Sequence, residues 1–245
     1  MVALVTLLIF VVSALFAMLG LGGGMLYVPI FHWLGFGLQS VVMPLSLLLN
    51  GLNTLLALIP YGRKHLVDWL GGLPMALAAL VFAPIGALAA PYVPNRVLII
   101  LFAVAVIVAA IRTLTAAGKA DPTQMMPMGR RMLIGSTVAA AAGFAGGLLG
   151  LGGGFIIGPL LMWIGYDTKR AAATTAYIVT FSSFSGFLGR MGSMTIEWPL
   201  LLSVVLAVIA ASLLGSWFMA NRAKPSWVKW FYGILLLGVA VKLIA

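Results

Sequence analysis

The chain is 245 residues long, 63% hydrophobic and only 7% charged, and no Asp, Glu, Lys or Arg occurs before Arg63; a water-soluble domain has too little interior to bury that much apolar surface. The net charge of +10 is spread singly or in pairs between apolar runs, which excludes the continuous basic face of a nucleic-acid binder. Cysteine is absent, so disulfides, thiolate chemistry and cysteine-ligated metal are excluded too.

Residues 1–36 form the first element, an uncharged apolar segment with neither a basic leader nor a small-residue cleavage site, and so are expected to belong to the mature structure. As one straight helix it would measure about 54 Å at ~1.5 Å per residue, against ~30 Å of hydrocarbon. It must break, and GLGGG at 20–24 is the natural place, because glycine tolerates positive φ and weakens a helix by up to ~1 kcal/mol per residue relative to alanine. Three spans of ordinary length are expected next, at about 40–60, 69–90 and 95–113. The stretch GKADPTQMMPMGRR at 118–131 carries Lys119, Asp121, Arg130, Arg131 and two prolines, and reads as an exposed connection. Residues 132–166 repeat the overlong segment with a second GLGGG at 150–154, and further spans are expected near 171–190, 197–220 and 226–244. No segment alternates apolar and polar residues over about ten positions, which excludes a transmembrane β-barrel.

Setting each residue against the one 130 positions later aligns Gly20 with Gly150, Gly24 with Gly154, Pro29 with Pro159, Trp33 with Trp163 and Gly35 with Gly165. With a one-residue slip, Trp69 meets Trp198 and Gly86 meets Gly215. The chain is thus an internal duplication, with a first transmembrane repeat at 1–115, a cytoplasmic linker at 116–131 and a second repeat at 132–245. Short cytoplasmic loops are enriched in Lys and Arg. If each overlong segment is a hairpin that leaves on the side it entered, 61–66, 112–131, 165–170 and 220–229 all fall inside and hold eleven of the fourteen basic residues. The expected fold is an all-α polytopic membrane protein built as an inverted repeat. Each half is a broken, Gly-interrupted helical hairpin plus three transmembrane helices, and both termini are extracytoplasmic.

Hairpins that end near the midplane turn the unpaired N–H groups and positive dipole ends of the following helices toward a shared cavity, a setting that favours an anion. Irregular backbone at that depth is tolerated only where protein or a watery cavity satisfies it. The candidate substrate-binding residues are therefore Gly22, Gly23 and Gly24 in the first break and Gly152, Gly153 and Gly154 in the second. The second spans add neutral polar groups: Ser46, Asn50 and Asn53 in one half, Thr174, Thr175 and Ser182 in the other. Ser46, Asn50, Asn53 and Thr54 share one helical face, and their amide and hydroxyl donors suit an oxyanion. Packing is the competing reading: Gly20 with Gly24, and Gly150 with Gly154, make the GxxxG spacing that lets membrane helices approach closely. Interhelical bonds from Ser, Thr and Asn are worth only ~0.6 to 2 kcal/mol each. On that reading the chain is a membrane-embedded subunit or a channel for another small anion.

No carboxylate lies deep in a span: Asp68 and Glu197 stand at equivalent span entrances and Asp121 and Asp167 in loops, which disfavours a carboxylate-based cation site. His32 and His65 are the only histidines, HExxH is absent, and neither GLGGG run continues to the Gly-Lys-Ser/Thr of a phosphate loop. No catalytic residue, metal or cofactor is expected. His32 is expected to be packed or interfacial, with proton coupling as its alternative role, and Arg190 at a span end is expected to snorkel.

GLGGGMLYVP at 20–29 and GLGGGFIIGP at 150–159 are each followed by a Ser/Thr-bearing span that ends near an acidic residue and a tryptophan, VDW at 67–69 and IEW at 196–198. Over nearly its full length the chain resembles the TauE/SafE sulfite exporter family of bacterial membrane permeases. The resemblance implies two homologous halves, residence in the bacterial inner (cytoplasmic) membrane, and movement of sulfite, organosulfonates or related small sulfur-containing anions. The Ala-Thr-Ser-like stretch it implies in the second span stands here as ATT at 173–175 but as PLS at 44–46. The expected function is that of a secondary transporter, an exporter, working by alternating access. Its partners are a small inorganic or organic sulfur anion and the lipid bilayer, with no nucleic acid, and a homodimer is a possible assembly.

Overall fold

Both overlong segments break at their glycines in the computed structural model of the chain, which describes residues 2–117, 124–193 and 198–222 together with positions 230, 234 and 238. Helix α1 (Val2–Leu19) stops before Gly20 and α2 begins at Gly24 (Gly24–Trp33). Later helices, in chain order, are α3 (Met43–Arg63), entered through a π-helical turn at Leu38–Val42, α4 (Trp69–Ala89) and α5 (Asn95–Ala117). The second break separates α6 (Met128–Leu149) from α7 (Gly154–Trp163), and α8 (Thr168–Leu188) and α9 (Trp198–Asn221) follow. Regular structure among the described residues is helical throughout. Among the described residues, five stretches are long and apolar enough to cross a membrane: Leu38–Arg63, Trp69–Tyr92, Met128–Leu149, Thr168–Leu188 and Trp198–Asn221. The span expected near 226–244 lies outside the described residues except for 230, 234 and 238, which are helical, and Glu197 lies outside them too.

Residue size explains the packing. In α1, Val5, Ile9, Val12 and Phe16 are buried at helical spacing while Leu4, Leu7, Leu8 and Val11 face outward, so one stripe packs and the other meets lipid. In α4 the inward stripe is small, Ala76, Ala79, Ala83 and Ala87, and the outward one is large, Leu70, Leu73, Leu77 and Val81. Lipid tails are as apolar as leucine, so close packing on small residues is what holds membrane helices together. Helix α4 lies along α6 so tightly that a Cβ on Gly86 would fall on the carbonyl of Phe144. Gly215 of α9, its sequence equivalent, meets the carbonyl of Ala14 of α1 in the same way.

Helices α3 and α8 stand at the centre, with 67% and 72% of their spans buried against 39% for the other three. Asn50 bonds Ser183 at 2.8 Å and Thr54 bonds Thr180 at 3.0 Å, so the two helices run in opposite senses. Helix α1 runs with α3: Ser13 and Asn53 share the Tyr27 hydroxyl, and further along the carbonyls of Ala17 and Met18 accept from Tyr61. Helix α2 runs against it, from Gly24 at Asn50 to His32 in a small apolar cleft beside Met43. Two aspartates start helices: Asp68 accepts from Gly71 N at 2.8 Å on α4, and Asp167 accepts from Lys169 N at 3.1 Å and Arg170 N at 3.0 Å on α8.

One expectation is corrected. Arg190 does not snorkel; it is 3% exposed and its Nε donates to the carbonyl of Ala87 at 3.1 Å. The small residues Ala87 and Gly189 let the end of α8 lie against α4, which leaves the guanidinium a carbonyl partner inside the bundle. His32 is packed, half-buried among Val28, Pro29, Leu38 and Phe102.

Candidate functional site

The two glycine breaks meet. Gly24 lies against Leu151 and Gly154 against Leu21, reciprocal contacts between residues that the duplication pairs. Asn50 stands between them, 0% exposed. Its Oδ1 accepts from Gly24 N at 2.9 Å, and its Nδ2 donates to the Leu151 carbonyl at 3.3 Å and to Ser183 Oγ at 2.8 Å. One carboxamide therefore ties the first break, the second break and α8 together. Ser182 Oγ donates to the Gly152 carbonyl at 2.5 Å, so irregular backbone in the break finds its partner inside the protein, as membrane depth requires.

Glycine is needed at two of these positions for two separate reasons. Gly22 and Gly152 both take φ of +69°, left-handed backbone that side chains resist. Each also faces Asn50: an added Cβ at Gly22 would fall on the Asn50 carboxamide, and at Gly152 on Asn50 Nδ2 and Ser183 Oγ. Gly23 lies under the Tyr27 ring and Gly153 against the Ala142 carbonyl.

The other predicted residues divide. Ser46 and Thr175 are fully buried, and neither hydroxyl has a hydrogen-bond partner among the described residues. They are 129 positions apart, the same offset that pairs Trp69 with Trp198, and Thr175 faces Gly158 of α7. Asn53 turns elsewhere, donating to Tyr27 Oη at 3.3 Å and accepting from Ser212 of α9 at 2.6 Å. Thr174 accepts from Asp68 N at 3.1 Å, near the start of α4. Ser183, another neutral polar group of the same span, joins the candidate site through Asn50. It neighbours Ser182 in a serine-rich run, and only the crossing register of α3 and α8 chooses it as the partner of Asn50.

A charged cluster closes the end of the bundle where α4, α6 and α8 begin. Tyr166 Oη donates to Asp68 Oδ2 at 2.7 Å, Arg131 Nη2 stands 3.6 Å from the same oxygen, and the Arg131 guanidinium lies 5.2 Å from the Tyr166 ring centroid. Burial pushes the Asp68 carboxyl upward, but the Tyr166 hydroxyl, the Gly71 amide and the charges of Arg131 and Arg170 outweigh it and hold the group below its ordinary value of 3.8. Burial and the neighbouring carboxylate raise Tyr166 in turn.

Comparison with known proteins agrees with this architecture. A probable membrane transporter protein of Methanocaldococcus jannaschii is 24% identical over 84% of this chain and 82% of its own length. Another from Sinorhizobium fredii is 23% identical over 96% of this chain and 95% of its own length. The sulfite exporter TauE/SafE family protein 3 of Arabidopsis thaliana is 51% identical over 47 residues, 19% of this chain and 10% of the plant protein. No solved structure matches the chain. The sequence profile described as sulfite exporter TauE/SafE matches residues 5–243, and the chain, a multi-pass membrane transporter, belongs to that family.

Proposed function

We propose that the protein is a secondary transporter of small sulfur-containing anions such as sulfite or organosulfonates, an exporter in the bacterial cytoplasmic membrane that works by alternating access. The observation that carries this reading is the meeting of two glycine breaks at one buried point, with an oxygen, Asn50 Oδ1, seated on the amide of Gly24 at the start of α2. A sulfite or sulfonate oxygen is the same kind of acceptor with more negative charge, and a helix start favours it over an amide oxygen. Gly22 to Gly24, Gly152 to Gly154, Asn50 and Ser182 form the seat, and Ser46 stands one helical turn from Asn50. The conformation described is closed: the breaks touch, and Asn50 fills the place of the anion.

Inverted repeats at 1–115 and 132–245 account for the topology on this reading. Support comes from the opposite senses of the sequence-equivalent helices α3 and α8, from the reversal between α1 and α2, and from the matched packing of α4 on α6 and α9 on α1. The linker and the loops at 61–66 and 165–170 then face the cytoplasm.

Close contact between the breaks also favours a second reading, in which the glycines serve packing alone. Two buried hydroxyls without partners among the described residues, Ser46 and Thr175, separate the readings. Packing does not require them, and each costs about 1–3 kcal/mol if nothing ever bonds it. Flux through liposomes decides. The purified chain should accelerate saturable sulfite movement that a sulfonate inhibits. Non-saturable passage of chloride or nitrate without sulfite selectivity would instead establish a channel.

A further inference from the structure

Resting on the alternating-access reading above, we propose that Asp68, Tyr166 and Arg131 form a latch that holds one end of the transport path shut by binding the two halves to each other. Each bond from Asp68 to the other members leaves the first half. Asp68 starts α4 in the first half; Tyr166 precedes α8 and Thr174 lies in it, both in the second half, and Arg131 closes the linker at the start of α6. Asp68 takes the Tyr166 hydroxyl at 2.7 Å, faces Arg131 at 3.6 Å, and through its backbone N–H donates to Thr174 Oγ1 at 3.1 Å. The Arg131 guanidinium over the Tyr166 ring holds these two partners of Asp68 together.

The duplication repeats the carboxylate, as Glu197, but not its partners. Counting back 130 positions, Tyr166 becomes Phe36 and Arg131 becomes Met1. Phe36 has no hydroxyl to give, and packs edge-on against Phe31 at 5.9 Å between ring centroids. One end of the path is therefore held by a carboxylate, a phenol and a guanidinium, whereas at the counterpart positions the phenol and guanidinium are replaced and Gln39 donates to Asn95 at 2.7 Å. On the inverted topology the end with the phenol and guanidinium is cytoplasmic, so the two gates open with different ease.

Helix α8 connects the latch to the seat. Thr174 accepts from Asp68, the adjacent Thr175 carries a buried hydroxyl without a partner, and two turns onward Ser182 and Ser183 hold the second break and Asn50. An anion that parts the breaks displaces α8, and with it Thr174 and the loop carrying Tyr166. Substrate occupancy thereby loosens the latch. The charged and titratable groups facing Asp68 are Tyr166 in that loop, Arg131 of α6 and Arg170 of α8. All of them favour the carboxylate, so the latch is lost as pH falls through the lowered value of Asp68 and is kept above it while Tyr166, whose pKa is raised, retains its proton.

The test uses Thr175→Cys as a reporter in the cysteine-free chain, with an impermeant thiol reagent applied to the cytoplasmic face of inside-out vesicles. Tyr166→Phe, which removes one hydroxyl and keeps the ring under Arg131, should raise the labelling rate about tenfold, and Asp68→Asn at least as much. Combining them should add little, because both break the same bond. The ratio of variant to parent rates should stay constant from about pH 5 to 8, since Asp68 remains ionised throughout. Unchanged labelling in Tyr166→Phe, with size-exclusion profile and unfolding temperature retained, would overturn the latch. Labelling that increases only from the extracytoplasmic face would overturn its placement. Neither outcome depends on which anion is moved: loss of sulfite flux in the parent chain would strike the transport reading, while this assay reads the opening of one end.

Discussion

Asn50→Leu is expected to abolish sulfite flux and to lower stability by about 2–4 kcal/mol. Leucine matches asparagine in bulk but bonds nothing, so Gly24 N, the Leu151 carbonyl and Ser183 Oγ each lose a partner at a point from which water is excluded. Leaving a buried donor or acceptor unpaired costs about 1–3 kcal/mol apiece, and relaxation recovers part of that. Flux in liposomes and thermal unfolding in detergent measure the two effects. Asn53→Leu is the control, because Asn53 bonds Tyr27 and Ser212 and not the backbone of either break. It should cost comparable stability while leaving the KM for the anion within about twofold. Loss of binding in both variants, or in neither, would detach Asn50 from the seat.

Gly22→Ala and Gly152→Ala should each destabilise by about 3 kcal/mol or more and eliminate transport. Both positions hold φ of +69°, and in both the new methyl would meet the Asn50 carboxamide. Gly35→Ala isolates the backbone term: Gly35 takes φ of +86° with nothing within 4 Å of an added Cβ, so only left-handed strain of about 1–2 kcal/mol is expected there, with transport kept. The comparison is made by unfolding temperature and by flux on the same three preparations. Equal losses at all three positions would mean that the turn matters and the approach to Asn50 does not.

Much of the fold is legible in the sequence because membrane solvation leaves few choices. A segment too long for the bilayer must break, and glycine is where breaking costs least, so both breaks fall at GLGGG. The helices from α3 to α5 and from α8 to α9 follow from apolar length, within a few residues at each end. The polar residues of the candidate site are legible in composition, but their register is not. Ser46, Asn50, Asn53 and Thr54 do share a buried face, but a helical face about 100° wide borders more than one neighbour. Asn50 looks toward the breaks and Asn53 toward α9. Thr174 and Thr175 are consecutive and therefore point about 100° apart, which sends one to Asp68 and leaves the other facing α7. Neither the Asp68–Tyr166–Arg131 cluster nor the inward turn of Arg190 could be read beforehand, since each joins residues distant in sequence through helix crossings that no local pattern encodes.

The most direct measurement is anomalous diffraction from crystals grown with selenite, the heavier analogue of sulfite. A selenium peak is expected within hydrogen-bond distance of Gly24 N or the start of α7, with the Asn50 carboxamide moved off the amide it now occupies and the two breaks drawn apart. Breaks still in contact, Asn50 still bonded to Gly24, and selenium bound elsewhere or nowhere at saturating concentration would contradict an anion seat at the crossing and leave the glycines to packing.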